Sequence, residues 1–178
     1  RIWFACWAST IAIIFMISFY YPIGAILDRT DNFSNSATLD GLAFLKSSDR
    51  TDEYEAIRML RDEMPKGHLV EAVGGGYTEF GRVSSATGFP SPLNWPGHEL
   101  QWRGSTGPLG NRQEDVKTIY TSNDLVEVSA LLDKYDIRYV YVGSREKYRY
   151  GTEGLDKFQD FLSVSFESGE VVVYERID

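Results

Sequence analysis

The sequence is poor in the residues from which disulfides and metal centres are built. It contains one cysteine, Cys6, and two histidines among 178 residues. A single thiol excludes a disulfide within the chain and a zinc site made of several thiolates. Basic residues are also in the minority, with 18 Lys and Arg against 26 Asp and Glu. The resulting net charge of −8 argues against a nucleic-acid partner, which would need a basic surface.

The first part of the chain lacks charge almost completely. Residues from Ile2 to Leu27 include no Asp, Glu, Lys or Arg and are rich in Ile, Phe, Ala and Trp. A membrane-spanning helix needs about 20 apolar residues, so this stretch predicts a transmembrane helix over residues 1–27. A secretory signal peptide is the alternative, but its apolar core is shorter, about 7–15 residues. Pro22 and Gly24 are expected to kink or end the helix near the membrane surface.

The rest of the chain carries all 26 acidic residues and 17 of the basic ones, a net charge of −9. Residues 28–38 are polar and predict a linker, and residues 39–178 are enough for one compact domain. In the linker, Asn32-Phe33-Ser34 matches the N-glycosylation acceptor pattern, which is compatible with a domain outside the cell. Because the chain begins at Arg1 rather than at a methionine, we expect it to be part of a larger polytopic membrane protein.

Apolar spacing in the domain predicts helices that alternate with strands. This alternation favours an α/β fold with a mixed, largely parallel sheet covered by helices, and the last two strands predict a C-terminal β-hairpin. The expected helices cover residues 42–45, 52–64, 113–118, 123–135 and 155–162, and the expected strands cover residues 68–73, 137–142, 163–166 and 171–176.

Residues 74–112 contain few regular signals and predict a long loop. A loop of this length inside a compact domain is usually functional, and this one follows a strand, where open α/β sheets bind ligands. The candidate substrate-binding residues lie in this segment or just before it: Glu71, Tyr77, Arg82, His98, Glu99, Trp102 and Arg103.

Two features of the segment resemble ligand sites but favour structural roles. The triple glycine Gly74-Gly75-Gly76 lacks the spacing and the lysine of a P-loop, so a tight turn is favoured over a phosphate cradle. His98 and Glu99 are too few for a zinc site, so a hydrogen-bonded structural histidine is favoured and no metal site is predicted.

The other candidates keep more than one interpretation each. Glu71 and Glu99 form a glycosidase pair only if the fold brings them together. Arg82 and Arg103 are equally consistent with an anion clamp and with bridges to acidic neighbours. Trp102, like Trp95, either stacks on a sugar, lies against the membrane-embedded remainder of the protein or packs in the core, and the core is slightly favoured.

The same segment carries a resemblance to a known family. The residues that carry it include Glu71–Gly74, Tyr77, Gly81–Ser84, Thr87–Pro90 and Trp95–Gly104. These runs resemble the carboxy-terminal part of the YYY membrane protein family of archaea and Chloroflexi, large polytopic proteins of uncharacterised function. More distantly, the order of elements is similar to the external domains of GT-C-type membrane glycosyltransferases, including oligosaccharyltransferase catalytic subunits. Their Trp-Trp-Asp-Tyr-Gly motif is absent, and Tyr77-Thr78-Glu79-Phe80-Gly81 stands in its place.

The resemblance implies the extracytoplasmic domain of a multi-pass cell-membrane protein that helps to bind a polyprenyl-phosphate-linked sugar donor or an acceptor. It implies that the catalytic residues lie outside this chain, together with any divalent metal, and no cofactor is evident within it. The implied partners are the lipid bilayer, the rest of its own transmembrane region and a lipid-linked sugar. The alternatives are a noncatalytic structural or partner-binding cap, and a membrane-anchored hydrolase using Glu71 or Glu99 with His98.

Overall fold

The computed structural model describes residues 1–34 and 38–177, and it divides into two units, Arg1–Gly41 and Leu42–Asp178. The first unit is helical. Helix α1 covers Ile2–Ser18, helix α2 covers Tyr20–Arg29, and a 3₁₀ turn follows at Asp31–Phe33.

The helical unit is interrupted once, at Phe19, three residues before Pro22. Proline has no N–H, so the carbonyl of Ser18 loses its helical partner, which accounts for the break at this point. The helix then resumes and passes Gly24 without ending. The 28 residues Ile2–Arg29 are long and apolar enough to cross a membrane, and neither α1 nor α2 contains a buried residue.

The predicted linker, residues 28–38, is described only in part, because residues 35–37 lie outside the described residues. Its first two residues, Asp28 and Arg29, still belong to α2. Asn32 of the glycosylation triplet is exposed and adopts a left-handed conformation with φ 52°, which asparagine tolerates better than most residues.

The second unit consists of a four-stranded sheet and the helices around it. Its strands are β1 (His68–Val70), β2 (Ile137–Val142), β3 (Ser163–Ser168) and β4 (Val171–Glu175). Its helices are α3 (Ala43–Ser47), α4 (Thr51–Asp62), α5 (Arg82–Thr87), α6 (Pro96–Arg103), α7 (Arg112–Thr121), α8 (Leu125–Lys134), α9 (Ser144–Tyr150) and α10 (Phe158–Phe161), with a 3₁₀ turn at Gly107–Leu109.

The sheet is mixed, with strand order β1-β2-β4-β3. Strands β1 and β2 are parallel, whereas β2–β4 and β4–β3 are antiparallel. The α/β class, the mixed sheet and the C-terminal hairpin are therefore confirmed. Parallel pairing is less extensive than expected because the hairpin strand β4 occupies the edge of β2 opposite β1.

Helices cover both faces of the sheet. On one face, Ile119 of α7, Leu132 of α8 and Phe158 of α10 pack against Val140. On the other face, α3, α4 and α5 pack their apolar side chains against Tyr139 and the neighbouring strand residues. Strand β2 is therefore buried on both faces, as its run of β-branched and aromatic residues indicates.

The segment 74–112 is not the long loop that the sequence predicts, because it contains α5, α6 and the second 3₁₀ turn. Helix α6 has Pro96 in its first turn, and both α5 and α6 end at left-handed glycines, Gly88 with φ 73° and Gly104 with φ 72°. These helices have only six and eight residues, too few for a clear apolar period.

Candidate functional site

The candidate site lies where the parallel strands β1 and β2 end. The hydroxyl of Tyr120 on α7 lies 3.0 Å from the carbonyl oxygen of Val70 and 2.8 Å from that of Tyr141, so it fixes the two strand ends side by side. Glu71 follows β1 directly, and Glu146 lies in the first turn of α9, which follows β2. Two carboxyl groups thus reach the same edge of the sheet.

Both carboxyl groups are buried and accept backbone hydrogen bonds. Glu71 is 3% exposed and accepts from the N–H groups of Val83 and Ser84 at 3.2 and 2.7 Å, in the first turn of α5. Glu146 is 1% exposed and accepts from the N–H groups of Ala72 and Gly143 at 2.7 and 2.9 Å.

Burial dominates the ionisation of both groups. Loss of solvation raises the pKa of Glu71 above its usual value and raises the pKa of Glu146 to about 7, and the repulsion between the two groups adds to the rise at Glu146. The cavity beside them has a volume of only about 10 Å³, enough for one water molecule at most. We therefore assign Glu71 to positioning α5 rather than to contact with a substrate.

Arg82 of α5 makes a bidentate pair with Glu53 of α4. The two hydrogen bonds measure 2.7 and 3.0 Å, and the side chains are 11% and 7% exposed. Arg82 also reaches Glu79 at 3.0 Å, and its guanidinium lies 5.7 Å from the ring centroid of Phe44. Of the two interpretations of Arg82, the structure shows the bridge to acidic neighbours.

Two further arginines meet Glu79. Arg50 contacts its carboxylate at 3.0 and 3.1 Å, and Arg145 of α9 also pairs with it. We call Arg50, Arg82 and Arg145 the arginine cluster.

A second group of candidates forms an aromatic contact. The ring of His98 on α6 lies edge-on to Tyr77, with ring centroids 4.5 Å apart, and edge-on to Trp95 at 5.0 Å. The Tyr77 side chain is 87% exposed, whereas Trp95 is half-buried and donates its indole N–H to the carbonyl of Phe80 at 2.6 Å. The Tyr77 ring is thus open to solvent, and behind it lies Trp95, whose indole is fixed by a hydrogen bond.

A cleft of about 170 Å³ opens beside this contact, and we call it the aromatic cleft. Drug-sized pockets measure roughly 300–1,000 Å³, so this one suits a group no larger than a single ring. Two buried polar atoms on its walls, Nε2 of His98 and Oδ1 of Asn94, have no hydrogen-bond partner among residues 1–34 and 38–177. The cleft is lined by Phe80, Gly81, Ser85, Asn94, Trp95, His98 and Glu99.

Two backbone hydrogen bonds and one glycine determine where the walls of the aromatic cleft lie. Residues 90–94 run along β1, because Pro90 accepts from the N–H of Leu69 at 2.8 Å and Asn94 accepts from the N–H of Gly74 at 3.0 Å. Gly76 lies so close to the imidazole of His98 that an added Cβ would come within 2.8 Å of Cδ2. Gly76 of the triple glycine therefore lets the backbone approach the His98 ring, a role beyond the tight turn that the sequence predicts.

The remaining candidates lie on the surface of α6. Glu99 and Arg103 pair with each other at 2.5 Å across one helical turn, with half-exposed side chains. Trp102 is 83% exposed and therefore not part of the core, so the slight preference for core packing was wrong.

The candidate residues thus separate into two neighbouring groups. Glu71 and Arg82 belong to the buried-carboxylate side, His98 and Glu99 line the aromatic cleft, and Tyr77 contacts His98 beside it. Glu71 and Glu99 line different cavities, so the structure does not assemble the carboxylate pair of a hydrolase. Within residues 1–34 and 38–177, no three His, Cys, Asp or Glu side chains are grouped to hold a metal ion.

The sequence interpretation missed Glu53, Glu79, Arg145 and Glu146 as members of the site. Glu53 lies 29 residues before its partner Arg82, and no spacing rule connects them. Glu146 had a detectable signal, because a glutamate three residues after Gly143 at the start of a helix is the position from which a side chain caps backbone N–H groups.

Comparisons with known proteins yield a weak structural match but assign no family. No family model matches the chain, and no curated protein does. A weak structural match covers 80% of this chain and 100% of the C-terminal globular domain of an oligosaccharyltransferase from Archaeoglobus fulgidus, with 12% sequence identity and a TM-score of 0.46. The resemblance to the YYY family stays a prediction.

Proposed function

We propose that this chain is the external domain of a membrane glycosyltransferase-like protein and that it helps to bind a lipid-linked sugar donor or acceptor. The aromatic cleft carries the proposal. Sugar rings present apolar C–H faces that stack on aromatic side chains, and their hydroxyl groups need polar partners close by. Tyr77 and Trp95 offer the rings, and His98, Asn94 and Glu99 offer the polar groups.

The unpaired atoms in the cleft support a ligand there. A buried polar atom without a partner costs about 1–3 kcal/mol, so such atoms are rare unless a ligand or water satisfies them. Nε2 of His98 and Oδ1 of Asn94 lie on the same cleft and are both unpaired among the described residues. One donor and one acceptor on a hydroxyl-rich ring would satisfy both.

The proposal includes the membrane. Residues Ile2–Arg29 would span the bilayer as one helix of a multi-pass protein, and the domain would face the extracytoplasmic side. Catalytic residues and any divalent metal would be supplied by other parts of the protein. This chain would orient the sugar.

One observation favours a second function, a noncatalytic cap that docks on its own transmembrane region. Trp102 is 83% exposed and Leu100 is 41% exposed on α6, and an indole at a surface is suited to a protein or membrane interface. In this alternative, the α6 surface is the docking face and the aromatic cleft binds no sugar.

The test is saccharide binding by the full chain in detergent micelles, with a short-chain polyprenyl-phosphate hexose as the probe. Tyr77→Ala removes an 87% exposed ring that contacts His98 beside the cleft, and Tyr148→Ala removes an 83% exposed ring from α9 as a matched control. An aromatic contact is worth about 0.5–1.5 kcal/mol, so Tyr77→Ala should weaken binding roughly twofold to tenfold. Tyr148→Ala should leave it unchanged. No binding by the wild type, or equal loss in both variants, would reject the proposal in favour of the cap.

A further inference from the structure

Three arginines from separate parts of the domain converge on one carboxylate. Arg50 precedes α4, Arg82 begins α5 and Arg145 lies in α9, and all three pair with Glu79. Its Oε1 lies 3.0 Å from both Arg50 and Arg82, and its Oε2 pairs with Arg145. Three guanidinium groups around one small anionic group is the arrangement by which proteins bind phosphate.

The cluster has more donors than Glu79 can satisfy. Nε of Arg145 is buried and has no hydrogen-bond acceptor among residues 1–34 and 38–177, although the arginine contacts Glu79 through another nitrogen. A carboxylate offers two oxygens to this cluster, whereas a phosphate group offers three or more. A tetrahedral anion at this position could therefore reach the unused donor.

The charge balance also favours an added anion. Three positive charges face Glu53 and Glu79, and Glu53 is committed to Arg82 by its two hydrogen bonds. The neighbouring carboxyl groups of Glu71 and Glu146 are buried, and the pKa of each is raised by loss of solvation, which reduces their negative charge. With Glu79 in place the three arginines exceed the two carboxylates of Glu53 and Glu79 by one positive charge, and without Glu79 they exceed Glu53 by two.

Glu79 is held less firmly than Glu53. Its side chain is 46% exposed, compared with 7% for Glu53, so water competes for its contacts and weakens each of them. It lies in a loop between β1 and α5 that ends at Gly81, which adopts a left-handed conformation with φ 77°. The cavity that Glu79, Arg82 and Arg145 line measures only about 10 Å³, so a phosphate group can bind only after the Glu79 carboxylate leaves the cluster with a movement of its own loop.

We propose that the arginine cluster is a binding site for a phosphate group, either a phosphomonoester or a diphosphate, and that Glu79 occupies the site until such an anion displaces it. Arg50 and Arg145 bind the anion, while Arg82 stays paired with Glu53 and contributes its remaining N–H groups. The site uses residues different from those of the aromatic cleft, so it stands whether or not that cleft binds a sugar.

The test measures affinity for inorganic phosphate and pyrophosphate by titration calorimetry on the full chain in detergent micelles. Glu79→Gln removes the competing charge and should tighten binding roughly tenfold, whereas Arg145→Ala should weaken it at least tenfold. Arg103→Ala is the control, because Arg103 pairs with Glu99 outside the cluster, and it should change nothing. Retention of the near-UV circular dichroism of the wild type establishes that each variant is folded.

A second arm identifies the source of the phosphate. The same variants are mixed with phosphatidylcholine vesicles, either plain or containing a polyprenyl monophosphate, and binding is followed by co-sedimentation. Binding of the inorganic anions supports a soluble ligand, and binding only to the polyprenyl-phosphate vesicles supports a lipid one. Binding of neither, or an equal response of Arg145→Ala and Arg103→Ala, would overturn the proposal. Inorganic phosphate and pyrophosphate carry no sugar ring, so this result stays separate from the test of the sugar site.

Discussion

Replacement of Arg82 by alanine should destabilise the domain more than any change at the exposed candidate residues. The variant leaves Glu53 buried at 7% exposure without the two hydrogen bonds of 2.7 and 3.0 Å that now compensate its charge. Removal of one partner from a buried ion pair typically costs about 3–5 kcal/mol, against a total stability of about 5–15 kcal/mol for a domain. With a urea m value of about 2 kcal/mol per M, the unfolding midpoint should fall by roughly 1.5–2.5 M.

The assay is urea unfolding of the full chain in detergent, followed by tryptophan fluorescence. Arg103→Ala is the matched control, since its pair with Glu99 has side chains that are 50% and 38% exposed and should contribute about 0.5 kcal/mol or less. The double variant Arg82→Met with Glu53→Leu should recover more than half of the loss, because it leaves no unpaired charge in the core. The reasoning fails if Arg82→Ala and Arg103→Ala unfold at the same urea concentration.

Two further predictions concern pH and the aromatic cleft. Burial raises the pKa of Glu146 in the folded protein to about 7, so between pH 4.5 and 7 the unfolded chain binds fewer protons than the folded one. The free energy of unfolding should therefore decrease by roughly 3 kcal/mol as the pH rises from 4.5 to 7. Glu146→Gln should flatten this decline in urea midpoints measured from pH 4.5 to 7.5, and an unchanged slope would contradict the assignment. Gly76→Ala should displace the His98 ring and reduce binding of the polyprenyl-phosphate hexose, whereas an added Cβ at Gly75 meets only a methyl group at 3.7 Å. Equal binding by the Gly75→Ala and Gly76→Ala proteins would show that the packing on His98 is irrelevant to the site.

The sequence predicted those parts of the fold that depend on a local pattern. Strand β2 was predicted with its observed bounds, Ile137–Val142, because a run of β-branched and aromatic residues ended at a glycine. Helix α8 was predicted over residues 123–135 and covers Leu125–Lys134, with Asp124 accepting from the N–H groups of Val126 and Glu127 as its cap. Both elements have a clear apolar period and a recognisable boundary.

Short elements escaped the same reasoning. Helices α5 and α9 have six and seven residues, less than two turns beyond their caps, so the apolar period does not repeat. A buried carboxylate caps each helix, and for α5 this cap is a tertiary contact. Glu71 from the end of β1 caps α5, and Glu146 caps its own helix.

The sequence placed the candidate residues beyond β1, but their internal arrangement could not be predicted. Tyr77 and His98 are in ring contact, and His98 and Glu99 line one cleft, while their role in binding stays a prediction. The pairing of Arg82 with Glu53, and the contacts of Glu79 with Arg50, join residues 29 positions apart along the chain. Such distances are set by the packing of α4 against α5, which depends on burial that one sequence does not reveal.

The loop between β1 and α5 connects the two proposed sites. Tyr77 contacts His98 and Trp95 in the aromatic group, and two residues later Glu79 enters the arginine cluster. An anion that displaced Glu79 would have to move this loop, and the movement would alter the position of the Tyr77 ring. Thermodynamic linkage is reciprocal: if bound phosphate changes the affinity for the sugar by some factor, bound sugar changes the affinity for phosphate by the same factor. A sugar phosphate that occupied both sites should therefore bind with a free energy that differs from the sum of the binding free energies of the sugar and of the phosphate alone.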